Sequence, residues 1–188
     1  MTPTKQNLTK NRCGLVAIVG RPNVGKSTLL NHILGQKISI TSRKPQTTRH
    51  RLLGIKTTDN AQIIFVDTPG LHIGIDKALN RYMNKTVNAV IKDVDLILFM
   101  IDGNKWTAED ENVLESIRNS NVSVFLLLNK TDRLGDQASL LPKIEELKSL
   151  YEFDEMIPIS ALKNQGTEKL EQLITKSLPL GSYLFPED

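Results

Sequence analysis

The stretch Gly20-Arg21-Pro22-Asn23-Val24-Gly25-Lys26-Ser27 decides the predicted fold, because it fits the phosphate-binding pattern GxxxxGK[ST] at every fixed position. The apolar, β-branched run Leu15 to Val19 stands just before it and suits a buried strand. Thr28 to Leu34 follows as a helix-like run that Gly35 closes. The pattern therefore lies in the strand, loop and helix context that a phosphate-binding loop requires. The alternative is a glycine-rich turn that a lysine happens to follow.

The residue types of this loop suit a polyphosphate. Backbone N–H groups that point into one concavity, with the positive end of a helix behind them, bind anions. Gly20 and Gly25 allow close approaches that a side chain would block. Lys26 can reach the terminal phosphates, and the Ser27 hydroxyl can ligate a Mg²⁺ ion that bridges them. The residues predicted to bind here are Gly20, Arg21, Pro22, Asn23, Val24, Gly25, Lys26, Ser27 and Thr28.

Length and composition limit the class of protein. The chain has 188 residues and a formal net charge of +3, which suits one domain and is too mild a bias to indicate nucleic-acid binding by itself. Its single cysteine cannot form an internal disulfide, which fits a reducing cytoplasm. The polar residues 1–12 lack the apolar core of a signal peptide and are predicted to be a disordered leader.

The remaining apolar runs alternate between strand-like and helix-like patterns. This alternation predicts a doubly wound, mostly parallel six-stranded α/β sheet with helices on both faces. Further strands are predicted at Leu53–Thr57, Gln62–Val66, Asp95–Asp102, Val122–Leu128 and Met156–Ile159. Helices are predicted over 78–91, after a Thr107 capping box, at Leu140–Leu150 and around Leu170 to Leu178.

Three further polar segments follow strands, so they should meet the phosphate loop at one edge of the sheet. In Asp67-Thr68-Pro69-Gly70, Asp67 can hold Mg²⁺ through water and the Gly70 amide can donate to the terminal phosphate. By itself, an Asp-x-x-Gly turn is more often structural than catalytic. With Leu71, the segment supplies the predicted ligands Asp67, Thr68, Pro69, Gly70 and Leu71.

Asn129-Lys130-Thr131-Asp132 predicts the choice of base. The Asp132 carboxylate can accept hydrogen bonds from guanine N1–H and its exocyclic amine, whereas adenine has an acceptor at N1 and lacks the amine. Lys130 can cover the ring and Asn129 can tie this loop to the phosphate loop. In the third segment, the Ala161 N–H can meet the guanine carbonyl oxygen. Base-site residues are predicted to be Asn129, Lys130, Asp132, Ser160, Ala161 and Leu162.

These segments, in this order, resemble the Era family of Ras-like P-loop GTPases. The resemblance runs from about Gly14 to Asp188 and includes Gly20–Asn31, the basic stretch Ile40–Arg51, Asp67–His72 and the closing Phe185–Asp188. It implies a Mg²⁺-dependent GTPase with slow intrinsic turnover, binding GTP and GDP. It also implies that Lys26, Thr48 and Gly70 act in catalysis. Ser27, Thr48 and Asp67 would hold Mg²⁺, with Thr47 the less favoured choice at the threonine position.

One departure from the wider Ras-like pattern affects these expectations. Leu71 stands where many such enzymes carry a water-orienting glutamine, and leucine cannot hydrogen-bond a water. Backbone groups or a monovalent cation must then assist hydrolysis. Asn23 matches a phosphate-loop asparagine associated with potassium in related GTPases, which makes K⁺ a candidate cofactor.

The chain also ends where Era-family proteins continue into a KH-type RNA-binding domain. The resemblance implies a GTPase domain over 13–180, a linker beginning at 181–188, and a truncated chain that lacks the KH domain. The family is expected to act in small ribosomal subunit assembly and ribosomal RNA maturation. Binding to that subunit and its RNA is expected to be weak or absent here. The expected location is cytoplasmic, with peripheral attachment to the inner membrane as an alternative.

Several alternatives stay open on the sequence alone. The basic residues Arg43, Lys44, Arg49, His50 and Arg51 suit either RNA contact or a solvated loop, and His72 suits a loop histidine better than a general base. The chain could instead be a GTP-gated binding module in which hydrolysis only ends the bound state, or an ATP-dependent P-loop enzyme. The sequence does not predict an oligomeric state.

Overall fold

The computed structural model describes residues 11–35, 51–67, 91, 93–135 and 137–186. Its strands are β1 (Arg12–Val19), β2 (Arg51–Thr58), β3 (Ala61–Asp67), β4 (Leu96–Asp102), β5 (Ser123–Asn129) and β6 (Glu155–Pro158). Its helices are α1 (Lys26–Leu34), α2 (Ala108–Ile117), α3 (Leu140–Leu150) and α4 (Thr167–Ser177), with short 3-10 turns at Thr131–Arg133 and Gln137–Ser139.

The strands form one six-stranded sheet in the order β2-β3-β1-β4-β5-β6. All neighbours are parallel except the β2 and β3 hairpin, which is antiparallel. The connection between these two strands is short enough for a hairpin, whereas the parallel pairs need longer crossovers. The predicted fold class is therefore confirmed.

Two hydrophobic cores lie on opposite faces of the sheet. On one face, Leu29 and Ile33 of α1 and Leu170 and Ile174 of α4 pack together in a buried cluster. On the other face, the core includes residues of α2 and α3, among them Val113, Leu114, Ile117, Leu140 and Leu147. All seven residues of β4 are buried, as expected for a central strand covered on both sides.

The carboxyl ends of the parallel strands are aligned at one edge. Val19 of β1 lies opposite Phe99 of β4, and Asp102 at the end of β4 lies opposite Asn129 at the end of β5. Because loops that follow parallel strands meet at this edge, the phosphate loop, Asn129–Asp132 and Ser160–Leu162 are brought together.

The ends of the domain differ from the prediction. β1 begins at Arg12, inside the predicted leader, because Arg12 N–H donates to Asn60 O at 3.0 Å and Arg12 also pairs with Leu180. Past the predicted boundary at 180, the buried Gln62 accepts hydrogen bonds from the backbone N–H groups of Leu184 and Phe185, both at 3.0 Å. This closing segment is therefore bound to β3 rather than leaving the domain at 181.

Several predicted features lie outside the described residues. These are leader residues 1–10, most of the basic stretch, and most of the helix predicted over 78–91, of which Ile91 is helical and buried. The predicted site residues Thr48, Thr68, Pro69, Gly70 and Leu71 also lie outside them, as do Thr47 and His72.

Candidate nucleotide-binding site

The phosphate loop has backbone geometry that requires glycine at two positions. Gly20 has φ +147° and Gly25 has φ +110°, a region that side chains rarely adopt. A Cβ at Gly20 would stand 2.3 Å from Met100 O, and one at Gly25 would stand 2.2 Å from Asn129 Nδ2. The two glycines thus let the loop approach the ends of β4 and β5. Their predicted role is consistent with this geometry.

Lys26 begins α1, and its ammonium folds over the loop. The Nζ atom donates to Gly20 O at 2.6 Å and to Arg21 O at 2.8 Å. A lysine ammonium held by two carbonyls of the phosphate loop is positioned at that loop, where it could bind phosphate oxygens. Beside it, Asn23 is exposed and has φ +64°, so the predicted cation ligand lies at the open side of the loop.

Asn129 joins three loops through one buried amide. Its Nδ2 donates to Val24 O in the phosphate loop at 2.6 Å, and its Oδ1 accepts from Ala161 N–H at 2.8 Å. The side chain is only 2% exposed, so both bonds are shielded from water. The expected link between the base loop and the phosphate loop is present, and it extends to the Ser160 loop. The contact predicted between Ala161 N–H and the guanine oxygen stays a prediction.

Asp132 presents an exposed carboxylate that Ser160 orients. The Ser160 hydroxyl donates to Asp132 Oδ1 at 2.5 Å and accepts from Lys163 N–H at 3.2 Å. Ser160 is fully buried, which fixes the direction of its hydroxyl. The neighbouring Leu162 is 64% exposed. A carboxylate fixed on one side and open on the other can accept further hydrogen bonds from a ligand.

Lys130 forms an ion pair that sequence analysis did not predict. Its Nζ donates to Asp102 Oδ2 at 2.9 Å, at the end of the neighbouring strand. Burial raises the pKa of Asp102, but hydrogen bonds from Lys130 and Asn104 outweigh it and lower the pKa from 3.8 to about 2. The signal available in sequence was that Asp102 ends one predicted strand and Asn129 follows the next, because strands consecutive in sequence often pair.

The Asp102 pair predicts a pH dependence of stability. Because the folded pKa lies below the ordinary value, the pair contributes stability that is complete above about pH 5 and is lost as the pH falls through 4 towards 2. We expect Asp102→Asn to lower the free energy of unfolding by on the order of 2 kcal/mol at neutral pH and by much less near pH 2.5. Urea unfolding of both proteins at several pH values measures this difference. A difference that stays constant with pH would contradict the assignment.

Arg21 of the phosphate loop forms a second ion pair, with Asp110 of α2. Arg21 Nε lies 3.2 Å from Asp110 Oδ2, which also accepts from Thr107 N–H at 3.0 Å and from the Thr107 hydroxyl at 2.8 Å. The Thr107 capping box predicted from sequence is therefore confirmed, and its carboxylate has an additional partner. This partner could not be predicted from the sequence, because no local pattern relates residues 89 positions apart.

The residues expected to hold magnesium supply suitable ligand atoms. Ser27 is exposed at the start of α1, and Asp67 ends β3. A hydroxyl and a carboxylate are the hard oxygen ligands that Mg²⁺ prefers, and this ion usually keeps several waters and phosphate ligands. Within the described ranges there is no group of three or more His, Cys, Asp or Glu side chains that could hold a metal ion. The hydroxyl of Ser27 and the carboxylate of Asp67 fit a magnesium ion that also takes ligands from a bound nucleotide.

The fold and the site define a P-loop nucleotide-binding protein with a Ras-like arrangement of loops. A family described as 50S ribosome-binding GTPase matches residues 15–130, which is more than half of the chain. The chain belongs to this GTPase family.

Relatives and solved structures agree with the Era resemblance. The chain is 57% identical to GTPase Era of Pseudomonas fluorescens over 180 residues, covering 96% of this chain and 60% of that protein. The structure is similar to Aquifex aeolicus Era bound to GDP and AlF4⁻, with TM-score 0.77, 45% identity and coverage of 94% of this chain and 60% of that one. It is also similar to Era in complex with MgGDPNP and nucleotides 1506–1542 of 16S ribosomal RNA, with TM-score 0.78, 45% identity and coverage of 95% and 61%.

The predicted resemblance to the Era family is confirmed by these comparisons. The chain spans about three fifths of the length of the curated relatives it matches. No helix in the part of the chain that the structure describes has the length and apolar character needed to cross a bilayer.

Proposed function

We propose that this chain binds GTP and GDP with Mg²⁺ and hydrolyses GTP slowly, as a molecular switch. The observation that carries the proposal is the buried Asn129 amide, which bonds Val24 O and Ala161 N–H at once. Through these two hydrogen bonds, the phosphate loop, the Asn129 loop and the Ser160 loop are joined to one another. The Ser160-oriented Asp132 then supplies the acceptor for guanine. Era structures that contain GDP with AlF4⁻ or MgGDPNP support the same ligand class.

The catalytic contribution of the chain is mainly charge stabilisation and positioning. Lys26 would leave the carbonyls of Gly20 and Arg21 to meet phosphate oxygens, where its charge stabilises the transferring phosphoryl group. Magnesium, when bound, neutralises charge on the two terminal phosphates. Ser27, Thr48 and Asp67 would hold that ion, the last through water. The Gly70 amide would donate to the terminal phosphate. In the same segment as Gly70, the further residues proposed to contact the nucleotide are Thr68, Pro69 and Leu71.

The wider biological role is proposed from the relatives. Era has been solved with a 16S ribosomal RNA segment, which supports a role in small ribosomal subunit assembly and ribosomal RNA maturation. We propose that the GTPase domain predicted over 13–180 also includes Arg12 and the closing segment bound to Gln62, and that a linker to a KH domain follows it. This chain alone is then expected to bind the subunit and its RNA weakly or not at all. The proposed location is the cytoplasm, or peripherally the cytoplasmic face of the inner membrane.

Nucleotide binding by the purified chain tests the proposed function. A fluorescent GDP analogue should bind with Mg²⁺ and more weakly after chelation. Unlabelled GDP should displace it, whereas an excess of ATP should not. Release of phosphate from GTP should then be measurable and slow. Displacement by ATP as effective as that by GDP would contradict guanine selectivity and support the alternative ATP-dependent enzyme.

Potassium stimulation is a separate expectation that rests on Asn23. We expect GTP turnover to be faster in KCl than in NaCl at equal ionic strength, because an ordered monovalent cation can add positive charge beside the phosphates. Asn23→Ala should remove the difference between the two salts, measured as the ratio of turnover in KCl to turnover in NaCl. Equal turnover of the unaltered chain in both salts would show that potassium is not a cofactor.

A further inference from the structure

The side chain of Lys130 is held at both ends. Its backbone has φ +67° and ψ 33°, a left-handed conformation that non-glycine residues seldom adopt. At the other end, its ammonium donates to Asp102 Oδ2 at 2.9 Å. The lysine side chain is 21% exposed and that of Asp102 is 9% exposed. The methylene groups of Lys130 are therefore held in one conformation between its backbone and the Asp102 carboxylate.

Asp102 is itself fixed by its surroundings. Its Oδ1 accepts from Asn104 N–H at 3.1 Å and from Asn104 Nδ2 at 3.0 Å. The turn that follows is closed by a bond from Gly103 N–H to Asn129 O at 2.7 Å. A Cβ at Gly103 would stand 3.0 Å from that same oxygen, so the two strand ends are in close contact. The position of the Lys130 ammonium is thus set by a rigid turn on the neighbouring strand.

We propose that Asp102 is a positioning residue for purine binding, which acts by holding Lys130 so that its aliphatic stem forms a preformed surface for the ring. This inference rests on the proposed guanine-nucleotide site. A lysine side chain carries substantial rotamer entropy, and ordering it in advance reduces what binding must supply. Because a flat apolar surface contacts any purine, Asp102 contributes to affinity for the ring but not to the choice of guanine. That choice belongs to Asp132.

The test is a double-mutant cycle on nucleotide affinity. GDP and IDP affinities are measured for the unaltered chain, Asp102→Asn, Lys130→Met and the double variant. Asp102→Asn should weaken both ligands by roughly tenfold and leave the GDP to IDP ratio unchanged. In the Lys130→Met background, Asp102→Asn should have little further effect, because methionine offers no ammonium to hold. Asp59→Asn is the matched control, since Asp59 is an exposed aspartate in the β2–β3 turn at the other end of the sheet.

The outcomes separate this inference from the function on which it rests. If the unaltered chain binds no GDP, both are overturned. If it binds GDP but Asp102→Asn binds equally well, or if Asp102→Asn costs the same factor in the Lys130→Met background as in the unaltered chain, only the role of Asp102 is overturned. Asn104→Ala guards against misfolding of Asp102→Asn, because it removes the Asn104 side-chain bond to Asp102 without removing the Asp102 charge. It should weaken GDP and IDP by about two- to threefold, and no change in either affinity would overturn the inference.

Discussion

Asp132→Asn is expected to convert the chain from guanine to xanthine preference. The carboxylate accepts from two guanine donors, whereas an amide offers one acceptor and one donor, which matches the N1–H and the C2 carbonyl of xanthine. Since a ligand that leaves polar groups unpaired is strongly rejected, GDP affinity should fall by about 10³- to 10⁴-fold. Xanthosine diphosphate should bind the variant more tightly than it binds the unaltered chain. Competition of both nucleotides against one fluorescent analogue measures the change.

A second variant, with a smaller expected effect, tests the contact between Ser160 and Asp132. Ser160→Ala removes the hydroxyl that donates to Asp132 Oδ1 at 2.5 Å but leaves the carboxylate. It should weaken GDP by about five- to tenfold without creating affinity for xanthine. Asp59→Asn controls for the charge change at an exposed site. An Asp132→Asn variant that keeps its preference for guanine would refute the assignment of Asp132 to the base.

Asn129→Ala is expected to weaken both the fold and nucleotide binding. The substitution leaves Val24 O and Ala161 N–H without the partners they have at 2.6 and 2.8 Å in a nearly dry environment. Each buried polar group left unsatisfied costs about 1–3 kcal/mol, so the two groups together should lower the free energy of unfolding by about 2–6 kcal/mol. GDP affinity should fall by about 100-fold or more, because the loops that contact phosphate and base lose their link. Urea unfolding and GDP titration measure the two effects.

Two further variants show which bond of Asn129 matters. Asn129→Asp keeps an acceptor for Ala161 N–H but replaces the donor to Val24 O with an oxygen, so it should disturb the phosphate loop more than the Ser160 loop. Asn121→Ala changes an exposed asparagine before β5 and should leave stability and affinity nearly unchanged. An Asn129→Ala protein that is as stable and binds GDP as tightly as the unaltered chain would show that the three loops hold their places independently.

Much of the fold could be predicted because local patterns and tertiary structure agree. The helix predicted at Leu140–Leu150 has those bounds in the structure, and Gly35 lies at the end of α1 as expected. The hairpin and the central strands differ from prediction by only one or two residues at most ends. The beginning of β1 was missed because the residues before Leu15 are mostly polar. Their strand geometry depends on pairing with β3 and with the closing segment near Leu180.

The amino-acid sequence by itself determined the class of fold and the chemistry of the loops. Hydrophobic periodicity fixes which segments are strands and helices, and the phosphate loop and base loop carry their ligand preferences in their residue types. Only the tertiary structure decided which distant groups support them. The pairs Lys130 with Asp102, Arg21 with Asp110 and Asp132 with Ser160 each join residues 28 or 89 positions apart. Such pairs depend on strand order and register, which set the distances between side chains that no local sequence pattern relates.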